Sequence, residues 1–184
     1  MTTVVIDLRH HKVVTDTRLT YISESKRKIT FMSKEIALPF IKSYNVAFDD
    51  QYKKKAYRIK RNGFTEIVCM SGIVSEIEKF MNAYLRNKLP RKYLKNSTVN
   101  IISYNGREWI SRSYTSSSYT SYKENDCGFI TTGSGGTFAC GALDMLSVKD
   151  KNRAIKAVKS SMVYDNYSGG SISVLNFEDL NDIN

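Results

Sequence analysis

Thr2-Thr3-Val4-Val5-Ile6-Asp7-Leu8 opens the chain, and Lys12-Val13-Val14-Thr15-Asp16 follows it across Arg9-His10-His11. Both stretches are rich in valine and isoleucine and a short basic segment divides them, so they predict a β-hairpin at the extreme N-terminus. His10 and His11 fall in its turn and read as surface residues. Lys28 to Met32 reads as a further short strand. Ala56 to Met70 splits at Asn62-Gly63, and Thr98 to Ile110 splits at Asn105-Gly106. Asn-Gly suits a tight hairpin turn because both residues tolerate positive φ. A last strand, Ser171 to Phe177, alternates Ile172 and Val174 against serines. The predicted sheet is mostly antiparallel.

Between Val74 and Asn87 the apolar Ile77, Phe80, Met81, Tyr84 and Leu85 recur at helical spacing, with Glu76, Glu78, Lys79, Asn82 and Arg86 between them. That period predicts an amphipathic helix. A second helix is expected from Thr137 to Leu146, after the glycine-rich Gly133-Ser134-Gly135-Gly136. A third is expected from about Val148 to Met162, with Ser147 and Asp150 as a capping box and Ile155, Val158 and Met162 as its buried stripe. Ser111 to Tyr122, dominated by Ser, Thr and Tyr, suits exposed strands and loops and offers no general base. The acidic tail from Glu178 to Asn184 reads as frayed or surface-bound. Strands separated by helices point to an α+β layered domain.

A chain of 184 residues with 41% hydrophobic side chains is long enough for one core and too short for two ordinary domains, so one domain over residues 1–184 is expected. The N-terminus reaches charge too early for a secretory signal, and no apolar run approaches a membrane span. The spacing of Cys69, Cys127 and Cys140 matches no metal motif and leaves one thiol unpaired in any disulfide scheme; free thiols in a reducing cytoplasm are expected. The net charge of +10 favours acidic partners. The densest basic runs, Lys53 to Arg61 and Arg86 to Lys95, read more simply as solvated faces.

Each candidate motif has a plain reading when taken alone. Thr2 suits an ordinary strand, and Gly133-Ser134-Gly135-Gly136 lacks the Gly-Lys-Ser/Thr ending of a phosphate loop. Asp165-Asn166-Tyr167-Ser168-Gly169-Gly170 suits a turn before a strand. Asp16 suits a strand end, and Lys26, Arg27 and Lys28 suit solvent.

Together and in this order, however, they resemble the proteasome β-subunits and their HslV-type bacterial relatives, N-terminal threonine peptidases. Thr2-Thr3-Val4-Val5 is similar to the family's mature start, and Val13 to Thr20 to its second strand with the catalytic aspartate, here Asp16. Arg27-Lys28-Ile29 resembles the basic step into the strand carrying the catalytic lysine, here Lys28. Met70-Ser71-Gly72-Ile73-Val74 resembles the segment whose glycine amide, here that of Gly72, stabilises the oxyanion. Thr132-Gly133-Ser134-Gly135 precedes a helix of small and apolar residues, and Asp165, Ser168, Gly169 and Gly170 reproduce the family's Asp-x-x-Ser-Gly-Gly. Two departures stand out: an extra basic stretch of roughly Ser33 to Arg61 whose pairing the sequence does not assign, and a first hairpin about two residues tighter than usual.

The resemblance implies a four-layer αββα sandwich, removal of Met1, and a threonine-type endopeptidase with Thr2 as nucleophile and Asp16, Lys28, Ser134, Asp165 and Ser168 in support. It implies Gly72 as oxyanion donor and Met70 lining the pocket for the residue before the cleaved bond. It further implies a homo-oligomeric ring, unfolded protein or peptide substrates, an ATP-driven unfoldase partner, and no cofactor or metal. The chemistry is self-consistent, because an N-terminal threonine carries hydroxyl and amine on one residue and the amine, of pKa about 7.7–8.0, serves as the base. Lys28, held as a cation by Asp16, would stabilise the alkoxide. The alternatives are a catalytically silent subunit of the same fold, a basic nucleic-acid-binding module using Lys53 to Arg61 with Tyr52, Tyr57 and Phe64, and last an amidase acting on a small amide.

Overall fold

Val4, Val5 and Ile6 are all fully buried. Side chains alternate between the two faces of a strand, so both faces here are covered. The computed structural model describes residues 2–31, 34–49, 55–61, 64–88, 91–125 and 128–177. Met1, Tyr52 to Lys54, the Asn62-Gly63 turn, Cys127 and the acidic tail fall outside them. The chain runs β1 (Val4–Asp7), β2 (Lys12–Asp16), β3 (Leu19–Phe31), β4 (Lys34–Asp49), β5 (Ala56–Arg61), β6 (Phe64–Ser71), α1 (Val74–Tyr84), β7 (Thr98–Tyr104), β8 (Trp109–Tyr114), β9 (Tyr119–Lys123), β10 (Phe129–Thr132), α2 (Gly136–Met145), α3 (Arg153–Tyr164) and β11 (Ile172–Asn176).

Two antiparallel sheets carry the domain, one in the order β10-β1-β2-β11 and one a meander, β5-β6-β7-β8-β9. Their inner faces meet in a core of Val4, Ile6, Leu8, Val13, Ile67, Cys69, Ile102, Trp109 and Phe177. Val5 and Val14 point the other way, against Ala139 and Leu143 of α2 and Ala154, Ala157 and Val158 of α3. On the far side Val68, Val99 and Ile101 meet Ile77, Phe80, Met81 and Tyr84 of α1. The order helix pair, sheet, sheet, helix is the four-layer αββα sandwich. Burying a large apolar side chain fully contributes about 1.5–3 kcal/mol, so the layers rest mainly on these three cores.

The helices carry two differences from the sequence reading. α3 starts at Arg153 because Asp150 turns away from a capping box: its Oδ1 accepts from Asn152 N at 2.8 Å and its Oδ2 from Lys156 Nζ at 2.7 Å. α1 has no cap of its own, and Ser97, distant in sequence, supplies one. Ser97 Oγ accepts from Ile73 N and donates to Glu76 Oε2, both at 2.8 Å. The turn histidines are half-buried, not surface residues. His10 Nδ1 lies 2.9 Å from Asp7 Oδ2, and the His11 ring stacks on Phe177 at 5.9 Å.

The extra segment is a ribbon. β3 and β4 pair with each other from Leu19↔Asp49 to Phe31↔Lys34, with a register shift between Lys26 and Lys28, and among the described residues with neither of the two sheets. It therefore begins at Leu19, before the Ser33 start expected from sequence, while Ala56–Arg61 belongs to the five-stranded sheet as β5.

Candidate active site

The end of β2 places Asp16 beside the start of the chain, where Asp16 N donates to Thr3 O at 3.3 Å. Its carboxylate is fully buried. Oδ1 accepts from Thr3 N at 2.8 Å and from Lys55 Nζ at 3.0 Å, and it also accepts from Thr2 Oγ1. Oδ2 accepts from Gly169 N at 3.0 Å. Lys55 Nζ donates in addition to Thr2 Oγ1 and to Arg18 O. An ammonium has three donors, and all three are directed.

Lys55 reaches this point by strand register. β5 pairs with β6 from Arg61↔Phe64 to Ala56↔Cys69, and the ladder continues one step further as Met70 N donates to Lys55 O at 3.0 Å. Lys55 thus stands opposite Met70, two residues before Gly72. Burial pulls its ammonium below the ordinary lysine value, opposed by Asp16 and assisted by the Arg18 cation.

A second cluster borders the first. The Asp165 carboxylate follows the last turn of α3, and its Oδ2 accepts from Ser134 Oγ and Ser168 Oγ, both at 2.6 Å. Ser168 Oγ lies 2.7 Å from Thr3 Oγ1, which also accepts from Ser161 Oγ at 2.8 Å. The glycine-rich turn is dictated by close approach: Gly133 has φ +93°, and a Cβ there would lie 1.9 Å from Thr2 O. Gly72 is equally constrained, with φ +119° and Ser97 Cα 2.5 Å from where a Cβ would stand. The preceding Ser71 ties this strand end to the first sheet, its Oγ lying 2.9 Å from Thr132 Oγ1.

The structure therefore brings together Thr2, Asp16, Ser134, Asp165 and Ser168, and sets Gly72 and Met70 on the strand end beside Lys55. Lys28 lies on β3, its backbone paired with Ala37, and the ammonium on Thr2 is that of Lys55. Among the described residues no group of three or more His, Cys, Asp or Glu side chains is placed to hold a metal. None of the described helices is long and apolar enough to cross a membrane.

The sequence matches no protein-family model and no curated protein. The fold, however, is similar to that of eukaryotic HslV from Trypanosoma brucei, at 19% identity and a TM-score of 0.54 over 95% of this chain and 99% of that one. The chain has the proteasome-like αββα fold. It is likewise similar to Thiobacillus denitrificans BPH in complex with epoxomicin, at 14% identity and a TM-score of 0.51 over 96% of this chain and 99% of that one.

Within this proteasome-type fold, Lys55 is the residue that sequence reasoning missed. Counting forward from Asp16 stops at Lys28, the first lysine before an apolar strand. Counting backward from Gly72 through a two-residue turn at Asn62-Gly63 pairs residue 55 with residue 70, and that signal was available. Within the basic stretch, Lys55 is directed to Thr2, Tyr57 packs toward the α1 core, and Arg58 Nη2 donates to Asn176 O at 2.7 Å.

Proposed function

We propose that this chain is a threonine-type endopeptidase whose nucleophile is Thr2 once Met1 is removed. The observation that carries the reading is the meeting of one ammonium and one carboxylate, Lys55 and Asp16, on the Thr2 hydroxyl in a buried site. The α-amine of Thr2, freed by loss of Met1, takes the hydroxyl proton, directly or through water, as Oγ adds to the carbonyl carbon of the peptide. The Lys55 ammonium offsets the charge forming on Oγ, and the Gly72 N–H receives the carbonyl oxygen as it becomes tetrahedral. The C–N bond then breaks, and the nitrogen leaves as an amine carrying the transferred proton. Water adds to the resulting ester and regenerates Thr2. Ser134, Asp165 and Ser168 orient the amine and the shuttling water.

Met70, directly opposite Lys55, lines the pocket for the side chain preceding the cleaved bond and gives it a preference for apolar residues. Similarity to HslV extends the reading to a homo-oligomeric ring in the cytoplasm, receiving unfolded chains from an ATP-driven partner. The test is the intact mass of the purified protein before and after an electrophilic peptide epoxide. Loss of Met1 and one adduct, absent from Thr2→Ala, is expected. Retained Met1 or an unlabelled chain would instead make this a silent, structural member of the fold.

A further inference from the structure

Arg18 follows the β2 aspartate by two residues and touches both halves of the site. Its carbonyl accepts from Lys55 Nζ, and its N–H donates to Gly169 O at 3.1 Å. Its guanidinium reaches across to the turn that follows α3, where Nη1 donates to Asn166 O at 3.2 Å and to Ser168 O at 3.4 Å. The planar group lies flat against Gly169. A Cβ on Gly169 would stand 2.4 Å from Arg18 Cζ and 2.6 Å from both Nε and Nη2, and those are its three nearest atoms. The clamped turn is the one that sends Gly169 N to Asp16 Oδ2 and Ser168 Oγ to Asp165 and toward Thr3.

We propose that Arg18 is a positioning residue that locks the Asn166–Gly169 turn against the Thr2, Asp16 and Lys55 group, so that the two hydrogen-bonded clusters keep one fixed spacing. The proposal rests on the peptidase reading above and adds to it a residue that touches neither substrate nor the reacting hydroxyl. Arginine is required because a flat fork can lie on the Cα of a glycine while donating to two carbonyls; a lysine ammonium can reach a carbonyl but cannot cover that surface. The absence of a side chain at residue 169 is the complement of the same contact.

The experiment compares wild type, Arg18→Met, Arg18→Lys, Gly169→Ala and the Arg18→Met/Gly169→Ala double variant. Each is measured for epoxide labelling of Thr2, for kcat and KM on an apolar fluorogenic peptide across pH, and for thermal midpoint. A displaced turn misaligns groups without removing them, so Arg18→Met is expected to lower kcat by about 10- to 100-fold while KM stays within about threefold. Its alkaline limb should move to higher pH. Of the charged groups facing Lys55, namely Asp16, Asp165 and Arg18, only the cation has been lost. Arg18→Lys should fall between. Gly169→Ala should resemble Arg18→Met, and the double variant should be no worse than Arg18→Met alone, since the methyl group then has no guanidinium to strike. A labelled wild type beside an Arg18→Met variant with unchanged kcat and alkaline limb overturns this inference alone. An unlabelled wild type overturns the peptidase reading and this inference with it. If Arg18→Met does not fold, Arg18→Lys decides: reduced kcat at constant KM supports the clamp, and wild-type kcat overturns it.

Discussion

At the scale of single residues, the assignment that most needs testing is the lysine. Lys55→Met should lower kcat by at least about 100-fold, because it removes the charge aimed at the developing alkoxide. Lys28→Met, on the ribbon, should leave kcat near the wild-type value; the reverse pattern in steady-state kinetics would return the role to Lys28. Titration separates the two as well. Burial holds the Lys55 pKa below its unfolded value of 10.5, so between the folded and unfolded values the unfolded chain binds more protons and stability rises with pH. Activity that depends on the ammonium moves the opposite way, falling as pH rises through the lowered folded value. A pH–rate profile whose alkaline limb lies below 10.5, together with a stability slope that disappears in Lys55→Met, is the expected result. Thr2, Asp16, Ser134, Asp165 and Ser168 were legible as a group because each sits in a short motif whose order survives in the sequence. Lys55 was not, because a lysine in a run of lysines has no local signature and only strand register singles it out.

At the scale of elements, legibility followed periodicity. The N-terminal hairpin and α1 announced themselves through valine-rich alternation and a 3.6-residue apolar stripe, both imposed by faces that must be buried. The start of α3 did not, since Ser147 and Asp150 have the spacing of a capping box but Asp150 is satisfied by Asn152 and Lys156. The ribbon was hidden for a different reason: among the described residues β3 and β4 pair with each other alone, so nothing in either inner sheet records their presence. This independence has a consequence for engineering. Removal of residues 23–45, with Ile22 joined to Val46 through Asn-Gly, should preserve epoxide labelling of Thr2 and shift the thermal midpoint only slightly, because shortening a segment that closes on itself costs the rest of the fold little. Loss of labelling in a variant that still melts cooperatively would show that the ribbon contributes to the site.

At the scale of the whole molecule, the three cores share strands. β1 contributes Ile6 to the space between the sheets and Val5 to the helix pair, while β6 contributes Ile67 to the first and Val68 to the α1 side. A defect on either outer layer is therefore transmitted to the middle. Phe80→Ala should cost about 3–5 kcal/mol and Leu143→Ala about 2–5 kcal/mol, although the two lie in opposite layers. In urea titrations each variant should show one transition, with circular dichroism and epoxide labelling lost at the same midpoint; separate midpoints would mean that the layers unfold independently.

Asp16 draws its donors from distant parts of the sequence: Thr2 and Thr3 before it, Lys55 well after it and Gly169 more than a hundred residues beyond that. A ribosome makes these in sequence, so the hydroxyl is made well before the turn that completes its surroundings. A nascent chain that has passed the β2 aspartate therefore holds the hydroxyl without the Lys55 ammonium or the Gly169 amide, and the set closes only once residue 169 has left the ribosome.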